Sequence, residues 1–111
     1  MNLEHIRARY LREPFPRRLA ALAANLARAC SFLASGRNLE TVRALLVESA
    51  HFIEWTVPEA PLDLRGQLAE LQVRLAVWSH RLEKSGGVSQ DMGPELRRWS
   101  NDLLQRSGLA A

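Results

Sequence analysis

Between residues 64 and 82, six large apolar side chains recur at alternating spacings of four and three: Leu64, Leu68, Leu71, Leu75, Trp78 and Leu82. That spacing sets all six on one stripe of an α-helix and does not suit a strand, whose side chains alternate with period two. A stripe this long must be covered along its length, so the chain is constrained to an assembly of helices that bury one another's seams. Each such side chain contributes about 1.5–3 kcal/mol when buried. Ordering the backbone offsets most of that gain, so one hairpin does not suffice and further helices must join it.

Those further helices are legible from their breakers and stripes. Asn2 suits the cap of a short helix carrying Leu3, Ile6 and Tyr10, which Pro14 and Pro16 interrupt. Pro16 also fits the first turn of a long helix to about Ser35, with Leu19, Leu22, Leu26, Cys30 and Leu33 as its core stripe. Ala20, Ala21, Ala24 and Ala27 keep the rest of that helix slim enough for close packing. Gly36 is placed to end it and Asn38 to cap the next.

The second long helix runs to about Val57. Val42, Leu46, Ser49, Ile53 and Val57 face the core, and Leu45 and Phe52 widen the apolar arc. Pro58 and Pro61 bracket a short link, so this helix and the leucine-seam helix form an antiparallel hairpin, with Glu59 and Asp63 near the positive end of the latter. The seam helix stops near Lys84, before Ser85-Gly86-Gly87. Pro94 opens a fourth, with Leu96, Trp99 and Leu103 inward, and a tail from Gly108 is expected to fray. The expected architecture is all-α: an up-down bundle of four main helices with a short extra N-terminal helix. Residues 1–111 form one domain, residues 1–15 being a basic N-terminal segment and 108–111 the frayed tail.

Several stretches resemble a group of short, uncharacterised all-helical proteins of cyanobacteria. They are Pro16-Arg17-Arg18-Leu19 through Asn25-Leu26-Ala27-Arg28, Glu48-Ser49-Ala50-His51-Phe52-Ile53-Glu54-Trp55-Thr56, Leu68-Ala69-Glu70-Leu71-Gln72 with Trp78, and the ending from Trp99 to Leu109. The resemblance covers most of the chain and implies a helical fold and a cyanobacterial type of source. It implies no activity, because the shared residues are those of packing and surface.

Charge and cysteine usage narrow the classes of function. The net charge of +3 is uneven: residues 1–37 hold seven arginines against Glu4 and Glu13, whereas residues 38–83 hold four against seven acids. Arginine outnumbers lysine fourteen to one, as coding in a GC-rich genome would produce. The single cysteine, Cys30, rules out an internal disulfide and reads as a small buried hydrophobe. Glu4, Arg7 and Arg9 precede any apolar run, so no signal peptide is expected, nor any transmembrane segment, and the cytoplasm is the expected location.

No catalytic constellation stands out. Glu48 and His51 make one Glu-x-x-His, the spacing that aims two ligands of a carboxylate-bridged di-metal bundle the same way. Such a site requires a second copy, but Val77 stands three residues before His80, and the pair points away from the seam. A metal shared across a dimer by His51, Glu48 and His80 is the weaker variant, and His5 stands alone. Cysteine pairs and glycine-rich phosphate loops are both missing. No cofactor, no metal and no enzymatic activity are therefore expected.

What remains are surfaces. Opposite the leucine seam lies a second apolar stripe, Gly66, Ala69, Val73, Ala76, Val77 and His80. Trp55 points away from Leu46 and Ile53 beside Ala44, Glu48 and His51. The N-terminal segment or another helix of the same chain, a second copy, or a different partner could cover these faces. The sequence thus predicts a protein–protein interaction or scaffold module, a homodimer or an adaptor, with Glu48, His51, Trp55, Val73, Val77 and His80 as its interface. The alternative is a nucleic-acid-associated protein that lays Arg7, Arg9, Arg12, Arg17 and Arg18 along phosphates, with Tyr10 and Phe15 between them. The acidic opening of the seam helix argues against a helix-turn-helix.

Overall fold

The computed structural model describes residues 2–36, 38–84 and 88–109. Five helices follow one another: α1 (Leu3–Arg12), α2 (Phe15–Ser35), α3 (Leu39–Thr56), α4 (Leu62–Lys84) and α5 (Met92–Ser107). A single 3-10 turn, Val57–Glu59, follows α3, and no strand occurs among the described residues. The fold is an all-α helical bundle.

Helix ends follow local chemistry. The Asn2 side chain accepts the His5 N–H at 3.2 Å and starts α1. Gly36 closes α2 at φ 69°, a left-handed conformation that costs glycine little. Asn38 sits at the head of α3 as expected but does not cap it with its side chain. Its backbone is left-handed, at φ 57°, and its carbonyl instead accepts the N–H groups of Thr41 and Val42. Gly108 closes α5 at φ 75°, and the Leu109 N–H donates to Ser107 Oγ at 3.1 Å. The Ser85-Gly86-Gly87 breaker and the last two residues of the tail lie outside the described residues.

All six seam residues of α4 are buried. They meet Leu19, Leu22 and Leu26 of α2, Val42, Leu46 and Ile53 of α3, and Met92, Leu96, Trp99 and Leu103 of α5 in one core. Leu33 and Val57, expected inside, are only partly buried at its edge.

The closest helix pairs are α2 with α5 and α2 with α3, followed by α3 with α4. Small side chains bring α2 and α5 together: Ser100 Oγ donates to the Ala23 carbonyl at 2.8 Å, and Cys30 Sγ lies 3.4 Å from the Gly93 carbonyl. These contacts run in opposite directions along the two helices, so neighbours are antiparallel. The α4–α5 side carries rim ion pairs, Arg106 to Asp63 at 2.9 Å and Arg74 to Glu95 at 3.9 Å. Asp63 precedes Arg74 on α4 by as many residues as Glu95 precedes Arg106 on α5, which again fixes an antiparallel register. No described helix is long and apolar enough to cross a membrane.

Candidate docking surface

The surface expected from sequence divides in two. Its α3 half lies against α1. The Tyr10 ring stacks on Phe52 at 4.1 Å between centroids and 16° between planes, and Trp55 tilts against Tyr10 at 5.8 Å. His51 in turn stacks on Trp55 at 5.8 Å. Trp55 is therefore partly buried inside the chain, as packing for α1, and is not the open anchor that helical projection suggests. Projection shows only that Trp55 leaves the α4-facing stripe; it does not show that a helix from further up the chain comes to meet it.

Glu48 is also engaged within the chain: its carboxylate accepts from Asn25 Nδ2 on α2 at 2.9 Å. Asn25 accepts in turn from Arg28, which completes a polar bridge between α2 and α3. His51 Nδ1 lies 3.8 Å from Glu54, at the surface. Glu48 and His51 thus turn to different partners, and no group of three His, Cys, Asp or Glu side chains suited to a metal occurs among the described residues.

Tyr10 holds α1 down through its hydroxyl as well as its ring. That hydroxyl donates to the Arg18 carbonyl at 3.0 Å and lies 2.7 Å from Thr56 Oγ1, which is itself 2.7 Å from the Phe52 carbonyl. Each hydroxyl has one proton, so the two protons fill two of these three short contacts at a time. Burial pushes the Tyr10 pKa up to about 12, against the opposing influence of Thr56 and Arg18.

Arg18 is the second residue whose role is structural. It is buried, donating from Nε to the Glu13 carbonyl at 2.9 Å and from its guanidinium to Glu59 at 2.6 Å, with Phe15 beneath it. The Arg18 hydrogen bond holds the Glu59 carboxyl below the ordinary carboxylate range. Of the five arginines assigned to a phosphate-binding face, Arg7, Arg9, Arg12 and Arg17 are exposed. Arg18 is not: it ties the α1–α2 link to the turn after α3. The tie was missed because residues 18 and 59 are distant in sequence and Glu59 had a local reading, beside the positive end of the seam helix.

The α4 half of the surface is open. Val73 and Val77 are 63% and 40% exposed, and His80 beside them is exposed. Leu62, at the start of the same helix, is 83% exposed. Each half of the surface has a depression beside it. One, of about 270 Å³, is bordered by Leu3, Ala44, Val47 and His51 where α1 meets α3. The other, of about 510 Å³, follows the α4–α5 rim past Gln67, Glu70, Arg98 and Asp102. The buried indole N–H of Trp99, which also borders the second, has no hydrogen-bond partner.

No protein family, no curated protein and no solved structure matches the chain. The likeness to cyanobacterial proteins drawn from its stretches of sequence therefore finds no support in these comparisons.

Proposed function

We propose that this chain is a non-enzymatic protein–protein interaction module of the cytoplasm, an adaptor or scaffold, whose docking surface is the outer face of α4. The observation that supports the reading is the pair Val73 and Val77, exposed one turn apart on a helix whose opposite side is wholly engaged in the core. Single exposed apolar residues are ordinary, but two in register along one helix make a strip that water hydrates unfavourably. The polar neighbours Glu70 and His80 supply a rim that orients a partner. The α3 residues of the original surface contribute less, because α1 already uses Trp55 and α2 already uses Glu48.

Covalent footprinting tests this. The segment 69–80 should label freely in the purified protein at high dilution and be protected in an extract of the cells that make it. The double variant Val73→Asp with Val77→Asp should lose that protection while keeping its helical circular dichroism. Equal labelling in extract and dilute buffer would refute a docking role for α4.

A further inference from the structure

The arginines of the bundle fall into two sets. Around α4, Arg43, Arg74, Arg98 and Arg106 each face a carboxylate within 3.9 Å. On the other side Arg9, Arg12, Arg17, Arg28 and Arg97 are exposed, and none of them forms an ion pair among the described residues. We propose that the outer face of α2, bordered by Arg9 and Arg12 of α1 and by Arg97 of α5, binds the phosphate backbone of duplex nucleic acid. This face is separate from the outer face of α4 and does not depend on a docking role there.

Local sequence builds the face. The 21 residues of α2 include no acidic side chain, and Arg17, Ala24 and Arg28 follow one another at helical spacing on its exposed side. Arg9 and Arg28 border one depression of about 400 Å³ between α1 and α2, and Arg97 borders another, of about 490 Å³, against Ala34. Arg12 stands one turn beyond Arg9. Two carboxylates reach the first depression: Asn25 engages Glu48, and Glu13 alone opposes the five arginines. Glu4 and Arg7 share the other flank of α1, while Glu95 and Asp102 of α5 turn toward α4.

The geometry selects the kind of anion. Arg17 and Arg28 stand about 16 Å apart along the helix axis, so a polymer matches them and a single phosphate does not. The outward positions between them are Ala21 and Ala24, low enough for a phosphate chain to approach the helix. No aromatic side chain is exposed for bases to stack on, which favours a duplex over a single strand. The apolar side of α1 is spent on α3 and has nothing to insert into a bilayer.

Fluorescence anisotropy of a labelled DNA duplex of about 20 base pairs, in a salt series, tests this. The binding constant should fall with a logarithmic slope of about −4, as for four or five neutralised phosphates, and the single strand should bind more weakly. Arg17→Gln with Arg28→Gln should weaken binding about tenfold with unchanged helicity. Arg9→Gln with Arg97→Gln, neither side chain making a hydrogen bond among the described residues, should do the same and guards against a folding defect in the first pair. Arg74→Gln with Arg98→Gln, an equal change in net charge around α4, should stay within about twofold. Absence of binding at about 50 mM salt, or equal losses in all three pairs, would overturn the proposal. Binding to phosphatidylserine vesicles but not to the duplex would also overturn it and assign the face to a membrane surface.

Discussion

Tyr10 offers a test of how α1 is held, because one atom can be removed and its effect followed through pH. Tyr10→Phe keeps the ring that stacks on Phe52 at 4.1 Å and deletes the hydroxyl that serves the Arg18 carbonyl and Thr56. Thr56 retains the Phe52 carbonyl as acceptor, so a single buried hydrogen bond is lost, worth about 1 kcal/mol near neutral pH. In a chain of 111 residues that corresponds to about 4 °C in Tm.

Alkaline pH reverses the order of the two proteins. The phenol titrates at about 12 in the folded state against 10.0 when exposed, so between these values the folded chain holds a proton that the unfolded chain has released. Stability that is fully present below pH 10 is therefore lost as pH rises toward 12, by about 2.7 kcal/mol over two pKa units. The phenylalanine variant has no such loss. The curves of unfolding free energy should cross near pH 11, with Tyr10→Phe the more stable protein above it. Urea titrations followed at 222 nm supply the curves. Tyrosinate absorbance at 295 nm supplies the pKa without ambiguity, since the chain has one tyrosine. A folded-state midpoint near 10, or a Tyr10→Phe cost that stays constant with pH, would refute the buried, hydrogen-bonded phenol.

Adjacent arginines should behave very differently. Arg18→Met gives up charge-assisted bonds to Glu13 and Glu59 and should cost about 2 kcal/mol in chemical denaturation, whereas Arg17→Met should stay within about 0.5 kcal/mol. The Glu59 carboxyl titrates below its usual value, so its contribution is present above about pH 4.5 and is lost as pH falls through the lowered pKa. Acid titration of Arg18→Met should show a smaller decline in Tm over that range than the parent. Trp55→Ala should expose α1 to amide exchange while α2, α3, α4 and α5 stay protected, because Trp55 packs on Tyr10 from outside the four-helix core. Leu71→Ala, at a fully buried seam position, should cost about 3–5 kcal/mol by urea denaturation. Gly66→Ala, mid-helix with open space around it, should raise the stability of the monomer by about 0.5–1 kcal/mol.

The bundle was legible wherever one physical signal sufficed. The α4 seam, the inward leucines of α2 and the inward residues Leu96, Trp99 and Leu103 of α5 follow from periodicity alone, and all but Leu33 of those stripes is buried. Prolines 14, 16, 58 and 61 punctuated the chain because they restrict backbone regardless of tertiary context. Met92 escaped notice: it is fully buried, but it stands at the first residue of α5, where no stripe yet exists to reveal it. Arg18 and Tyr10 escaped for a different reason. Their residue types belong to surfaces as often as to interiors; the short helix that carries Tyr10 was foreseen but not where it lands, and Arg18 is enclosed by contacts to Glu13, Phe15 and Glu59 that form only in the assembled bundle. The candidate surface was legible as a question, two helices with more apolar area than one neighbour covers, and only the arrangement of helices shows that α1 meets the α3 half while Val73 and Val77 of α4 stay exposed.

That arrangement explains why α3 acquires a cover and α4 does not. An isolated ten-residue helix is marginal in water, so α1 persists only by packing on a ready surface. It enters the bundle through the short link to α2, and α2 packs against α3 and α5, leaving α4 on the far side of the core. From that point α1 reaches the outer face of α3, where Phe52 and Trp55 receive Tyr10 and where Thr56 and the Arg18 carbonyl receive its hydroxyl. Val73 and Val77 therefore stay exposed on the outer face of α4, at 63% and 40%.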